Sequence, residues 1–143
     1  MYSGTKKGRG VMVPVDVMRD YDSYIKFSNA ASEASDFQSF VSSFFAAEHS
    51  LGQLAAAPVS DLALAGLGGL DFKAQYRDLQ LRRDQLFNAA IKKAFDRELE
   101  ISSLMSSERG RRACMDRWLQ VVVASQSLAP ANYEYLKELF SHV

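Results

Sequence analysis

One cysteine, Cys114, in a chain of 143 residues leaves no partner for an internal disulfide and points to a reducing compartment. Only two histidines are present, His49 and His142, and they lie in separate segments, so no His/Cys/carboxylate spacing suited to a metal ion arises. There is no run of about 18 apolar residues, and the basic residues 1–10 are not followed by an apolar stretch with a cleavage site; neither a membrane span nor a signal peptide is expected. Charge of one sign is also missing, because 17 Lys and Arg balance 17 Asp and Glu. That balance excludes a uniformly basic nucleic-acid binder, so any such binding must use a local concentration of cations. The Gly66–Gly69 stretch, GlyLeuGlyGly, lacks the Lys and Ser/Thr of a phosphate-binding loop and reads as turn chemistry.

What is present is a helical pattern. A chain of this size can bury roughly two thirds of its unfolded surface, enough for a core without staples. Residues 1–14 carry glycines and cations with little to bury and are expected to be a flexible basic arm, leaving 15–143 as one helical domain. A first helix is predicted over 16–29, with Val17, Tyr21, Tyr24, Ile25 and Phe27 on its apolar side. A second runs from a Ser35/Gln38 capping box to about Leu54, because Phe37, Phe40, Val41, Phe44 and Phe45 recur at helical spacing. Residues 55–70 hold Pro58 and three glycines among small apolar residues and are expected to be an irregular connection with a short extended piece. Residues 72–102 contain no Gly or Pro and form the longest predicted helix, striped by Tyr76, Leu79, Leu86, Phe87, Ala90, Ile91, Ala94 and Phe95. After a polar break at 102–110, a helix over 111–128 presents Cys114, Met115, Trp118, Leu119, Val121 and Val122, and a short last helix follows Pro130. The expected fold is all-α: an antiparallel four-helix bundle with a short additional C-terminal helix and an irregular Gly-rich connection.

The catalytic inventory is thin. Cys114 falls on an apolar helix face and reads as a small buried hydrophobe, not a nucleophile, and no nucleophile–base pair is visible; the chain is not expected to be an enzyme, and no cofactor is implied. The cations are unevenly spread: 11 of the 17 fall between Lys73 and Arg117, against seven acids. If the helices over 72–102 and 111–128 form an antiparallel hairpin, Arg97 at the end of one meets Arg109, Arg111, Arg112 and Arg117 at the start of the next. Guanidinium forks and the positive end of a helix dipole suit phosphate there. The competing reading is a solvated helix start, with Arg117 paired to Glu108 or Asp116. Arg83 interrupts the apolar stripe, where it either snorkels or pairs with a buried acid.

AspPheLys at residues 71–73, AlaPheAspArg at 94–97, Arg111–Arg112 with Asp116–Arg117, and Asn132–Tyr133 with Phe140 give the chain a pattern that resembles the coat proteins of rod-shaped, tobamovirus-like RNA viruses, over roughly residues 37–140. It departs from the family at Asp71–Phe72, where an Arg-Phe dipeptide is expected, and in a shorter turn between the two long helices. The resemblance implies a structural capsid protein that self-assembles into a helical rod around single-stranded genomic RNA. It would reside in the virion and, during assembly, in the host cytoplasm, with no membrane partner. It further implies termini on the outside and RNA held at the inner helix ends. Arg97, Arg111, Arg112 and Asp116 then match the RNA-contacting region, with Arg109 and Arg117 as helpers. Glu98, Glu100 and Glu108 become candidates for carboxylates that repel between subunits. The alternative is a cytoplasmic helical adaptor, chaperone or nucleic-acid-binding regulator that forms a small closed oligomer and uses the same Phe-rich and basic faces.

Overall fold

The computed structural model describes residues 14–125 and 127–143; the expected basic arm lies outside the described residues, except that Pro14 already belongs to the first helix. Six helices follow in order: α1 (Pro14–Glu33), α2 (Phe37–Ala56), α3 (Val59–Leu64), α4 (Phe72–Ser102), α5 (Glu108–Ala124) and α6 (Pro130–Ser141). Among the described residues there is no strand, so the fold is all-α, and no helix is long and apolar enough to cross a membrane.

Short polar side chains fix where the helices begin. Asp36, not Ser35, opens α2: its Oδ1 accepts the Ser39 N–H at 2.8 Å while the Ser39 hydroxyl donates to Oδ2 at 2.8 Å. The Ser39 hydrogen bonds, with Arg97 assisting from α4, hold the Asp36 carboxyl below its ordinary range. Asp71 opens α4 in the same way, accepting the Ala74 N–H at 3.0 Å, which gives the aspartate preceding Phe72 a local structural role. α5 starts at Glu108, three residues before the sequence places it, because Ser107 in extended conformation accepts the Gly110 N–H at 3.0 Å. A Cβ at position 110 would lie 3.1 Å from that hydroxyl oxygen, so glycine gives the cap room. The connection between α2 and α4 contains a helix, α3, where a short extended piece is expected. It ends in a Schellman motif: Gly66 has φ +78°, its N–H donates to the Ala63 carbonyl at 3.1 Å, and the Leu67 N–H donates to the Leu62 carbonyl at 2.8 Å.

The chain groups into two compact units, one of residues up to Asn29 with Ser43–Gln80 and one of Ala30–Ser42 with Leu81–Val143, so α1, α2 and α4 each contribute to both. In the first unit Val17, Leu51, Leu54, Ala57 and Phe72 form a buried cluster, flanked by Tyr21, Tyr24, Leu62, Leu67, Tyr76 and Leu79. Contacts give the helix directions. Tyr21 meets Phe72 with ring centroids 6.0 Å apart, and the Tyr24 hydroxyl donates to Gln75 Oε1 at 3.5 Å, so α1 and α4 run parallel. Gln80 Nε2 donates to Glu48 Oε2 at 2.6 Å while Tyr76 lies against Gly52, so α2 runs antiparallel to α4. Ile25, expected on the buried side of α1, is exposed.

In the second unit Phe87 is wholly buried and receives the edges of Phe37 and Phe40 at 6.0 and 5.3 Å. Arg83 sits within the apolar stripe with its guanidinium 4.4 Å from the centre of the Phe87 ring, and its Nη2 donates to the Ser127 carbonyl at 3.4 Å. The numbering on α5 falls as that on α4 rises. Arg83 meets Ser127, Phe95 meets Trp118 at 5.5 Å, and Glu98 meets Cys114, as an antiparallel hairpin requires. α6 then returns alongside α4. Its fully buried Asn132 donates through Nδ2 to the Asp84 carbonyl at 3.1 Å and to Asn88 Oδ1 at 2.8 Å, and its Oδ1 accepts the Ala129 N–H at 3.2 Å.

Candidate functional site: the basic turn between α4 and α5

The residues singled out from the sequence do converge on the α4–α5 turn, but they do not form one cluster. α5 sorts them by helical spacing. Arg111, Met115, Trp118 and Val122 follow one another at steps of three or four residues on the face that carries the helix's buried side chains, while Arg109, Arg112 and Asp116 share the opposite, exposed face. Arg117 is exposed beside them. Arg111 is thus half-buried, and its Nη1 donates to the Met105 carbonyl at 3.4 Å, tying the start of α5 to the turn. The adjacent arginines of the sequence therefore divide into one that braces the hairpin and one that faces outward.

Arg97 also departs from the expected grouping. It is exposed on α4 and acts on Asp36, the residue that caps α2, helping to keep that carboxyl ionised. The three carboxylates separate likewise. Glu98 is half-buried and turned toward its own α5, where its Oε1 lies 3.8 Å from Cys114 Sγ, whereas Glu100 and Glu108 are exposed. Cys114 is buried among the apolar residues of α5, as its position in the sequence implies. Among the described residues none of Arg97, Arg109, Arg111, Arg112 and Arg117 forms an ion pair within 4.0 Å, so the expected pairing of Arg117 with Glu108 or Asp116 is not made.

Beside the turn is a cleft of about 390 Å³ lined by Leu99, Ser102, Ser103, Glu108, Arg111, Arg112, Met115, His142 and Val143. Its lining joins the apolar Leu99 and Met115 to Arg111, Arg112 and Glu108, and the hydroxyls of Ser102 and Ser103 are turned back onto the Leu99 and Glu100 carbonyls of α4. His142 and Val143 in its lining bring the end of α6 to the arginine-bearing end of the hairpin. Near the other end of α6, the short side chain of Asn132 bonds across to α4. The turn itself carries exposed apolar residues, with Leu104 84% and Ile101 39% exposed. An exposed arginine face beside an apolar tip can hold phosphates while its bases or a neighbouring chain cover the apolar surface.

No family model, no curated protein and no solved structure matches this chain.

Proposed function

We propose that this chain is a structural capsid protein that packages single-stranded RNA in a helical rod of repeated copies and performs no catalysis. In this reading α1, α2, α4 and α5 are the members of an antiparallel four-helix bundle, with α6 laid along α4. The observation that carries the proposal is the outward side of α5, where Arg109 and Arg112 are exposed without ion pairs in the first turn, at the positive end of the helix, and Arg117 is exposed further along it. The zero net charge of the subunit supports it further, since neighbouring copies then repel little and RNA supplies negative charge where the arginines gather. The RNA contacts are assigned to Arg109 and Arg112, with Asp116 on the same face; Arg111 braces the hairpin.

The test is negative-stain microscopy of the purified protein with single-stranded RNA, together with binding measured across a salt series. The expected outcome is nuclease-protected rods, with the binding constant falling as salt rises. Arg109→Ala and Arg112→Ala should each lower the slope of log K against log salt by about 0.7, the value for one phosphate on a single strand. RNA-free small particles under all conditions would refute the proposal and favour the closed adaptor.

A further inference from the structure

Away from the basic turn, α2 and α4 enclose a second opening of about 290 Å³, lined by Phe45, Glu48, His49, Gly52, Gln53 and Tyr76. Its chemistry is the complement of the arginine face. Phe45, 37% exposed, and half-buried Tyr76 supply aromatic surface, and Glu48 supplies a carboxylate held in place by the 2.6 Å hydrogen bond from Gln80. The Tyr76 ring lies close on α2 because residue 52 is glycine; a Cβ there would stand 3.3 Å from Tyr76 Cε1. Aromatic surface beside a fixed carboxylate suits a guanidinium, which stacks through its plane and donates to the oxygens through its edge.

We infer that this opening is a socket for an arginine of a second copy of the chain, Arg117 on the outward face of α5, and that the contact joins copies head to tail. Arg117 is exposed, forms no ion pair among the described residues, and lies one helical turn before Val121, itself 44% exposed. A cation followed by an apolar side chain matches a carboxylate beside exposed Phe45. α5 carries four arginines against two acids, and Arg117 supplies the charge that complements Glu48 at the centre of the contact. The two halves of the contact lie on different surfaces of one chain. Such an interface is heterologous: each copy offers a socket to one neighbour and an arginine to the next, so copies add in a chain wherever the rotation between them does not close a ring. The inference deepens the assembly reading proposed above and rests on it, but it concerns contacts between protein copies and needs no RNA.

The experiment uses RNA-free full-length chain at low salt, with self-association followed by sedimentation velocity. Glu48→Arg and Arg117→Glu should each weaken association tenfold or more, because each sets like charges against one another in the contact. Mixed in equal amounts, the two variants should associate again, since every junction between unlike copies joins opposite charges. Glu48→Gln, which keeps an acceptor for Gln80 and loses only the charge, should weaken association without altering helicity. Association of the single variants at the wild-type level, failure of the mixture to recover, or a wild-type chain that stays monomeric would overturn the socket. Rods that still form on RNA in Glu48→Arg would overturn the socket and leave the RNA reading intact. Recovery on mixing with no RNA binding by the wild type would leave the socket and remove the RNA reading.

Discussion

Replacing Asn132 tests how α6 is held. The side chain is fully buried and makes three hydrogen bonds: Nδ2 donates to the Asp84 carbonyl at 3.1 Å and to Asn88 Oδ1 at 2.8 Å, and Oδ1 accepts the Ala129 N–H at 3.2 Å. Each such bond contributes about 0.5–1.5 kcal/mol net, and removing one partner leaves the other buried without compensation. Asn132→Ala should therefore cost about 2–4 kcal/mol, a lowering of the melting temperature by roughly 6–12 °C for a domain of this length. Asn132→Asp preserves shape and the acceptor for Ala129, but turns a carboxylate oxygen toward two other acceptors. Near neutral pH it should be more damaging than alanine. The new carboxyl should have its folded-state pKa raised, so its unfolded form releases a proton that the folded form retains. Stability is then lost as pH rises above the ordinary carboxylate range and recovers as pH falls into it. Urea denaturation followed by circular dichroism, repeated between pH 4 and 7, measures both effects. A loss below about 0.5 kcal/mol for alanine, or an aspartate variant indifferent to pH, would refute the assignment of this residue as the anchor of α6.

Substitutions at three further residues probe the frame of the site. Phe87→Ala removes a wholly buried ring that receives the edges of Phe37 and Phe40, and should cost about 3–5 kcal/mol in the same assay. Asp36→Ala should cost about 1 kcal/mol through the lost cap. Because the Ser39 hydrogen bonds and Arg97 lower the folded-state pKa of Asp36, its stabilisation is present above the unfolded value and fades as pH falls through the lower folded one, a fade that Asp36→Asn should abolish. Arg111→Ala should lower stability through the lost bond to the Met105 carbonyl while leaving the salt dependence of RNA binding unchanged, the reverse of the result expected for Arg112→Ala.

The helical class was legible because the Phe-rich and Phe87–Phe95 patterns recur at three and four residues, a spacing only a helix turns into one face. Phe37, Phe40, Phe44, Phe87, Ile91 and Phe95 are all buried accordingly. Helix starts were less legible. Ser35, Asp36 and Ser39 are all able to cap, and only the backbone decides that Asp36 does so; Ser107 likewise captured α5 a turn early because Gly110 left it room. The connection after α2 carried glycine as its main signal, and glycine marks the end of a short helix as readily as a loop; Gly66 is such an end. Arg83 defied the apolar stripe without breaking it, since its charge spreads over the Phe87 ring and reaches a carbonyl. The arginine cluster was legible as composition but not as geometry. ArgGlyArgArg reads as one charged run, yet a helix turns its third member inward and its fourth outward.

That division sets the strength of any RNA contact. With Arg111 turned to the Met105 carbonyl, one copy presents Arg109 and Arg112 at the turn, with Asp116 on the same face. Two phosphates held by two exposed arginines give weak, strongly screened binding. A copy that holds RNA weakly can still package it when copies contact one another, because each bound neighbour raises the effective concentration of RNA at the next site. Short oligonucleotides reaching a single copy should therefore bind weakly, with an affinity that does not depend on protein concentration. Long single strands should bind cooperatively, and Glu48→Arg should reduce that cooperativity while leaving the affinity for short oligonucleotides unchanged. Fluorescence anisotropy on a length series measures this directly. Tight one-to-one binding of a short oligonucleotide would refute the argument, since two exposed arginines could not supply it and a pocket elsewhere on the chain would have to.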